Sequence, residues 1–236
     1  MTTTIDPTEL ERLHQQHAHE GVNAVASAFA QHIRSKFDKQ TNDAMQRGLE
    51  QLIVDKLIDR VAKEGDHVPD FELPSGDGKS VRLSAILRDG PLVLVFYRGA
   101  WCPYCKLHLS ALQSWLEEIR QHGAQLVTVS PQVLDRSQSV TEQNNLEFPV
   151  LSDMGNHVAR ALGLVFEFSD ELRATYKQFG VDLSEFNGDD SWTLPVPGTF
   201  IINQDGTIAK VWTDVDYRRR AEPDDVVNAL QTLSEK

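Results

Sequence analysis

A chain of 236 residues, 40% hydrophobic and 25% charged, can bury a core without a disulfide staple, and this composition excludes disorder, collagen-like repetition and low complexity. A formal charge of −12, from 23 Lys and Arg against 35 Asp and Glu, repels phosphate backbones and anionic lipid, which sets aside nucleic acid and membrane surfaces as partners. The start, Met1 to Pro7, lacks the basic and apolar regions of a secretory signal, and the longest apolar run, Pro91 to Tyr97, is far short of the roughly 20 residues a bilayer requires, so the expected location is cytoplasmic.

From about Pro7 to Lys63 few turn residues occur and apolar positions recur at helical spacing: Val22, Val25, Phe29, Ile33 and Phe37, then Met45, Leu49, Leu52, Ile53 and Leu57. Two or three helices are predicted. Val54, Ile58 and Val61 give the second pattern another apolar face, which calls for two neighbours or a partner chain and makes a homodimer an expected arrangement. Gly65-Asp66 and Pro69-Asp70 break the helical register, dividing the chain into a helical extension (residues 1–64) and a catalytic domain (residues 65–236). Phe71–Leu73 and Ser80–Leu83 flank the turn-rich Pro74–Lys79 and read as a hairpin.

Leu92–Tyr97 is a continuous apolar run rich in β-formers, the pattern of a strand covered on both faces. Cys102-Pro103-Tyr104-Cys105 follows it, and Cys105, Leu109, Leu112, Leu116 and Ile119 fall on one helical stripe that ends before Gly123. Gln125–Val129 is a second buried strand and completes a βαβ unit. Pro131–Asn145 predicts a polar crossover helix, Asn156–Leu162 a short helix, and Ser169-Asp170-Glu171 opens another with a side-chain cap and acids in its first turn. Thr199–Asn203 and Thr207–Thr213 read as closing strands, and Glu222-Pro223 starts a terminal helix. The fold class is therefore α/β with a thioredoxin fold: a mixed sheet flanked by helices, carrying an N-terminal helical extension.

A C-x-x-C between a buried strand and a helix sets its sulfurs where first-turn N–H groups have no intrahelical partner, and such a site stabilises a thiolate, the reactive form of cysteine. The spacing brings the second sulfur within reach of the first, so an oxidised intermediate can be resolved within the chain. Structural zinc wants four ligands; Cys102 and Cys105 are the only cysteines, and His108 cannot fill two vacancies. Redox chemistry is the expectation, with no cofactor and no metal.

Over about Asp66 to Leu233 the chain resembles the peroxiredoxin superfamily, also called the alkyl hydroperoxide reductase / thiol-specific antioxidant (AhpC/TSA) proteins. Val68–Leu73 looks like the opening strand of that family, Val127–Ser130 with Phe148–Asp153 like its middle section, and Gly198–Ile202 with Asp205-Gly206 like its closing hairpin. In typical members a Pro, a Thr and the peroxidatic Cys share one loop, and an Arg from a later strand approaches the sulfur. Aligned from Phe96-Tyr97, Cys105 falls on the peroxidatic cysteine, Cys102 on the threonine, Arg98 on the proline and Pro197 on the later arginine. That is the pattern of a divergent, C-x-x-C-containing branch. Val196-Pro197 looks instead like the cis-proline loop that faces the cysteines of thioredoxins and glutaredoxins, and the resemblance implies a cis peptide there. Pro103-Tyr104 is the dipeptide of glutaredoxins and keeps glutathione in play as reductant.

Around the motif, Arg98 can stabilise a thiolate or orient a peroxide oxygen, or simply pair with an acid at the strand end. Trp101 can rim a substrate site or pack. His108, one turn beyond Cys105, is read as an exposed helix histidine, with proton donation as the alternative. His14, His17 and His19 form a weak metal-like cluster that is discounted. Arg218-Arg219-Arg220 resembles a recurrent feature of the divergent branch.

Three activities compete. A thiol-dependent peroxidase would use Cys105 as nucleophile toward a hydroperoxide and Cys102 as resolving thiol, with a thioredoxin-, glutaredoxin- or glutathione-type reductant. A disulfide reductase would attack through Cys102, expected to be the more exposed sulfur. A redox-switched binding protein is the third.

Overall fold

The computed structural model describes Arg12 and residues 21–235; His14, His17 and His19 lie outside the described residues. Two helices open that part, α1 (Val22–Lys36) and α2 (Lys39–Val54), followed by a 3₁₀ turn at Leu57–Arg60. The predicted hairpin is present as β1 (Glu72–Pro74) and β2 (Ser80–Arg82), antiparallel with Glu72 opposite Arg82. Then come α3 (Leu83–Ile86), β3 (Leu92–Phe96), α4 (Pro103–Ser114), α5 (Leu116–Gln121), β4 (Gln125–Ser130), α6 (Leu134–Gln143), β5 (Val150–Ser152) and α7 (His157–Ala161). The remainder is β6 (Val165–Glu167), α8 (Asp170–Gln178), α9 (Leu183–Asn187), β7 (Thr193–Pro195), β8 (Gly198–Ile202), β9 (Ile208–Thr213) and α10 (Pro223–Ser234).

The main sheet has the order β5-β4-β3-β8-β9. The β3–β4 and β4–β5 pairs are parallel, and the β3–β8 and β8–β9 pairs antiparallel. Parallel pairing needs a crossover, which α4 and α5 supply between β3 and β4. Strand β3 is buried along its whole length. Its alternation sends Val93 and Val95 into one core with Phe29 of α1, Leu109 and Leu112 of α4 and Val226 and Leu230 of α10. Leu92, Leu94 and Phe96 face the opposite core, with Leu57, Val68, Phe71, Leu162 and Phe200. A smaller cluster of Phe168, Tyr176, Leu183, Trp192 and Leu194 lies beside them.

Three elements depart from the sequence expectation. The stripe from Cys105 to Ile119 is one buried face carried by two helices, because the backbone turns out of helical geometry at Trp115 (φ −105°, ψ 8°). The apolar positions after Met45 do not make a helix buried on two sides: α2 ends at Val54, and Leu57 and Val61 enter the core from the segment after it while Ile53 and Val54 stay exposed. The three-residue strands β6 and β7 pair only with each other, and each is too short to carry a period in sequence.

The N-terminus of α1 is tied to the far end of the chain. Glu222 accepts hydrogen bonds from the Val22 and Asn23 N–H groups at 2.7 and 2.8 Å, satisfying donors that have no partner inside the helix. Gly21, at φ +89°, precedes them, and a Cβ there would lie 2.9 Å from the Glu222 carboxylate, so a side chain would displace the cap.

Candidate active site

Strand β3 delivers the chain to a loop, residues 97–101, that turns it into α4. The Tyr97 N–H bonds the Val129 carbonyl and the Ala100 N–H bonds the Gln132 side chain, fixing both ends of the turn. Gly99, at φ +149°, leaves no room for a Cβ between Gln132 and Trp101. Cys102 is the N-cap of α4, Pro103 occupies the first helical position, and the Cys102 carbonyl accepts the Cys105 and Lys106 N–H groups at 3.1 Å each. The motif therefore sits at a helix start, as the sequence predicts.

Both cysteines are reduced, buried to 1% exposure, and approach each other to 3.2 Å. Cys102 is not the exposed sulfur that the disulfide-reductase reading calls for. Burial pushes the Cys105 thiol up, but it is outweighed by the hydrogen bond from Cys102, the charge of Arg220, the Arg98 main chain and the charge of Arg98, so Cys105 is held well below the ordinary thiol range. Cys102 goes the other way, pushed well above that range by burial and by donating to Cys105. One proton is shared by two sulfurs, and the surroundings place it on Cys102.

The guanidinium on Cys105 belongs to Arg220, whose Nη2 lies 3.3 Å from Sγ. The sequence offers the triple arginine but not which member turns inward, since the contact spans 115 positions. Asn23 of α1 holds Arg220 by its main chain: its Oδ1 accepts the Arg220 N–H at 2.8 Å and its Nδ2 donates to the Arg220 carbonyl at 2.9 Å. Glu222, two residues on, caps the same helix. One short segment thus fixes both α1 and the cation. The position aligned with a strand arginine is Pro197, and the missing charge comes from the loop after β9.

Arg98 is 2% exposed and, of its two readings, the pairing with an acid is absent: among the described residues it makes no salt bridge. Its Nη2 instead donates to the Tyr176 hydroxyl at 2.6 Å, and its Cζ lies 4.1 Å from the Tyr217 ring centroid, 4.9 Å from Trp101 and 5.4 Å from Tyr176. Desolvated cation–π contacts are each worth on the order of 1–2 kcal/mol and hold a guanidinium where no carboxylate is available. Trp101 has the packing role, edge-on to Tyr176 at 5.7 Å and half-buried. Tyr104 is buried, edge-on to Phe29 of α1 at 5.4 Å and to Tyr217 at 5.6 Å, and Pro103 is half-buried. Tyr176, Tyr217, Asn23 and Gln132 carry no motif and were invisible in the sequence.

His108 is buried rather than exposed. Burial and the charge of Arg220 drive its imidazole down to about 3, against the Ala221 carbonyl, which favours the protonated form. At neutral pH it is uncharged and cannot donate as an imidazolium. Val196 and Pro197 are buried, and the peptide between them is trans, because the described residues contain no cis bond. The Val196 N–H bonds the Leu164 carbonyl and the Pro197 carbonyl accepts Thr213 Oγ1 at 3.0 Å, which fits an extended run from β7 into β8. Pro197 lines a cleft of about 680 Å³ together with His108 and Arg220. Among the described residues no three His, Cys, Asp or Glu side chains are grouped to hold a metal, and no helix is long and apolar enough to cross a membrane.

Among known proteins, the AhpC/TSA family profile matches residues 64–211. A Mycobacterium tuberculosis protein assigned to the peroxiredoxins is 35% identical over 102 residues, 43% of this chain, and the match spans 66% of that protein's length. Peroxiredoxin Bcp of Bacillus subtilis is 28% identical over 171 residues, covering 72% of this chain and 94% of its own. Among solved structures, the peroxidoxin BcpB of Mycobacterium tuberculosis superposes with a TM-score of 0.58 at 26% identity, covering 72% of this chain and 97% of that one. Xanthomonas campestris peroxiredoxin Q gives 0.54 at 20% identity, covering 70% and 91%, a likeness of fold. Both α1 and Arg220 lie outside the matched residues, whereas the cysteine pair and the five-stranded sheet lie within them but for the last two residues of β9, and with more than half of its length matched this chain is a peroxiredoxin-like member of the AhpC/TSA family.

Proposed function

We propose that the protein is a thiol-dependent peroxidase in which Cys105 is the nucleophile and Cys102 the resolving thiol. The observation that carries this is the convergence of Arg220 and the Cys102 thiol on the Cys105 sulfur. The Cys105 thiolate attacks the distal oxygen of a hydroperoxide. An S–O bond forms, the O–O bond breaks, and the alkoxide leaves as alcohol after taking a proton, giving a sulfenic acid. The Cys102 sulfur then attacks the sulfenic sulfur, an S–S bond forms and water departs. Two equivalents of an external thiol reduce that disulfide and leave as their own disulfide. Per cycle one hydroperoxide and two thiols become alcohol, water and one disulfide.

Arg220 and Arg98 act electrostatically: they favour the thiolate before attack and meet the negative charge that develops on the departing oxygen. His108 does not serve as the general acid, because burial and the charge of Arg220 disfavour its protonated form. The reductant is of thioredoxin, glutaredoxin or glutathione type, and a reducing compartment such as the cytoplasm supplies it. A homodimer through the exposed Ile53 and Val54 at the end of α2 belongs to the same reading and is measured by light scattering.

Peroxide consumption and sulfenic-acid trapping on two variants test the mechanism. Cys105→Ser should abolish peroxide consumption. Cys102→Ser should still form a sulfenic acid at Cys105 on one equivalent of peroxide, then stall without disulfide. Activity surviving in Cys105→Ser, or disulfide reduction outrunning peroxide reduction in the unmodified protein, would reverse the assignment.

A further inference from the structure

The cleft between α1 and β9 is linked to Cys105 through Arg220, which lines it and lies 3.3 Å from the sulfur, while Cys105 itself is not one of its described lining residues. The cleft volume of about 680 Å³ falls in the range that accepts a small organic molecule. Its lining includes His108 and Arg220, both at least nine-tenths buried, and the His108 Nε2 and Arg220 Nε atoms have no hydrogen-bond partner among the described residues. Buried donors and acceptors of this kind are stabilised by a polar partner.

The charge of the lining is opposite in sign to that of the molecule. Among the described lining residues Arg34, Arg218, Arg219 and Arg220 bring four positive charges against the two carboxylates of Asp214 and Asp216, a balance of +2 in a chain of −12. Asp216 is engaged by Arg218 through two contacts at 2.7 Å. Arg219 reaches Asp214 only at 3.8 Å with 73% of its side chain exposed, and Arg34 donates to the neutral Gln46. A concave site lined by excess positive charge concentrates anions, and guanidiniums match carboxylates in shape.

We infer that this cleft binds the carboxylate of a small organic reactant and guides its reactive end to Cys105 past Arg220. The inference rests on Cys105 being the reactive sulfur of the proposed peroxidase. Carboxylate-bearing reactants enter that cycle at two points, as the hydroperoxide or as the reducing thiol.

The test compares iodoacetate with iodoacetamide in the full-length reduced protein, following Cys105 by mass spectrometry. In both reagents the same thiolate displaces iodide, so the ratio of their rates cancels thiolate reactivity and reports attraction of the carboxylate. The ratio should exceed that of a free thiol and fall by about fivefold or more in the Arg34→Ala/Arg219→Ala variant. A smaller fall should follow in Arg219→Ala alone, and none in Lys39→Ala/Lys79→Ala, which removes the same charge elsewhere. A ratio equal to that of a free thiol, or one that responds equally to the lysine variant, overturns the inference. This readout needs no peroxide, so it stands or falls separately from the peroxidase assignment.

Turnover then separates the two sources, comparing linoleic acid hydroperoxide with cumene hydroperoxide and glutathione with 2-mercaptoethanol. If Arg34→Ala/Arg219→Ala erases the advantage of the carboxylated hydroperoxide, the cleft serves the oxidant. If it erases that of the carboxylated thiol, it serves the reductant. An advantage left intact in both comparisons overturns the inference.

Discussion

Arg220 does for Cys105 what the helix start alone does not. The first turn of α4 makes no capping hydrogen bond to the Cys102 side chain, the two cysteines are driven in opposite directions, and a guanidinium 3.3 Å from one of them sets them apart. Because the thiol of Cys105 is lowered, its thiolate persists as pH falls below the ordinary thiol value near 8.5 and is lost only once pH drops through the lowered value. Replacing Arg220 by Met keeps the volume and removes the charge. The expected result is that the pH midpoint of Cys105 alkylation moves up toward 8.5 and the peroxide step at pH 7 slows by about tenfold or more, while the same step at pH 9.5 slows far less. An unchanged midpoint would remove Arg220 from the chemistry. Much of the site at this scale was legible: two cysteines at a strand-to-helix junction announce their placement through β-rich residues before them and a helical stripe after. The burial of His108 and Arg98 is not legible in the sequence because it depends on partners distant along the chain, here Arg220 and Ala221 for one and the Tyr176 and Tyr217 rings for the other.

In the proposed function helix α1 is a positioning element for the active site. Asn23 grips the main chain of Arg220 and Glu222 caps the helix that carries Asn23, while Phe29, one turn and a half further on, packs edge-on against Tyr104 inside the Cys102–Cys105 motif. Asn23→Ala removes two part-buried hydrogen bonds and should cost about 1–3 kcal/mol in urea unfolding. A merely structural loss would stop there. Because the amide aims Arg220, the alkylation midpoint of Cys105 should rise as well, and Asn23→Asp, which keeps the acceptor for the Arg220 N–H, should restore part of it. A variant that unfolds more easily yet alkylates with the native midpoint would leave α1 as packing alone. The helix itself was readable from Val22, Val25 and Phe29, whose spacing places them on one buried face. Its task was not, since an asparagine on the adjoining face is compositionally ordinary and its partner stands 197 positions away.

At the scale of the molecule, two buried guanidiniums serve one anion. In the reduced state the Cys105 thiolate offsets Arg98 and Arg220. Forming the disulfide deletes that negative charge and leaves both cations buried, with no salt bridge among the described residues. Uncompensated buried charge is strongly destabilising, whereas a disulfide closing so short a loop constrains the unfolded chain little. The oxidised protein should therefore melt below the reduced one, by roughly 3–10 °C for a difference of about 1–3 kcal/mol, as calorimetry of both forms would measure. By linkage the pair should then be more oxidising than an ordinary thioredoxin couple. An oxidised form that melts at the same temperature or higher would contradict this. The βαβ order and the closing strands could be read from pattern because each is continuous in sequence, whereas the charge balance emerges only when the loop after β9 returns to the start of α4.

That return has a temporal side. Synthesis proceeds from the N-terminus, so Cys105 is made 115 residues before the arginine that, in the proposed function, activates it. Until the last part of the chain emerges, its sulfur remains an ordinary, mostly protonated thiol. A nascent polypeptide stalled before Arg220 would thus expose two cysteines with little appetite for peroxide, and reactivity would switch on only when the finished fold can also provide the neighbouring thiol that rescues the oxidised sulfur.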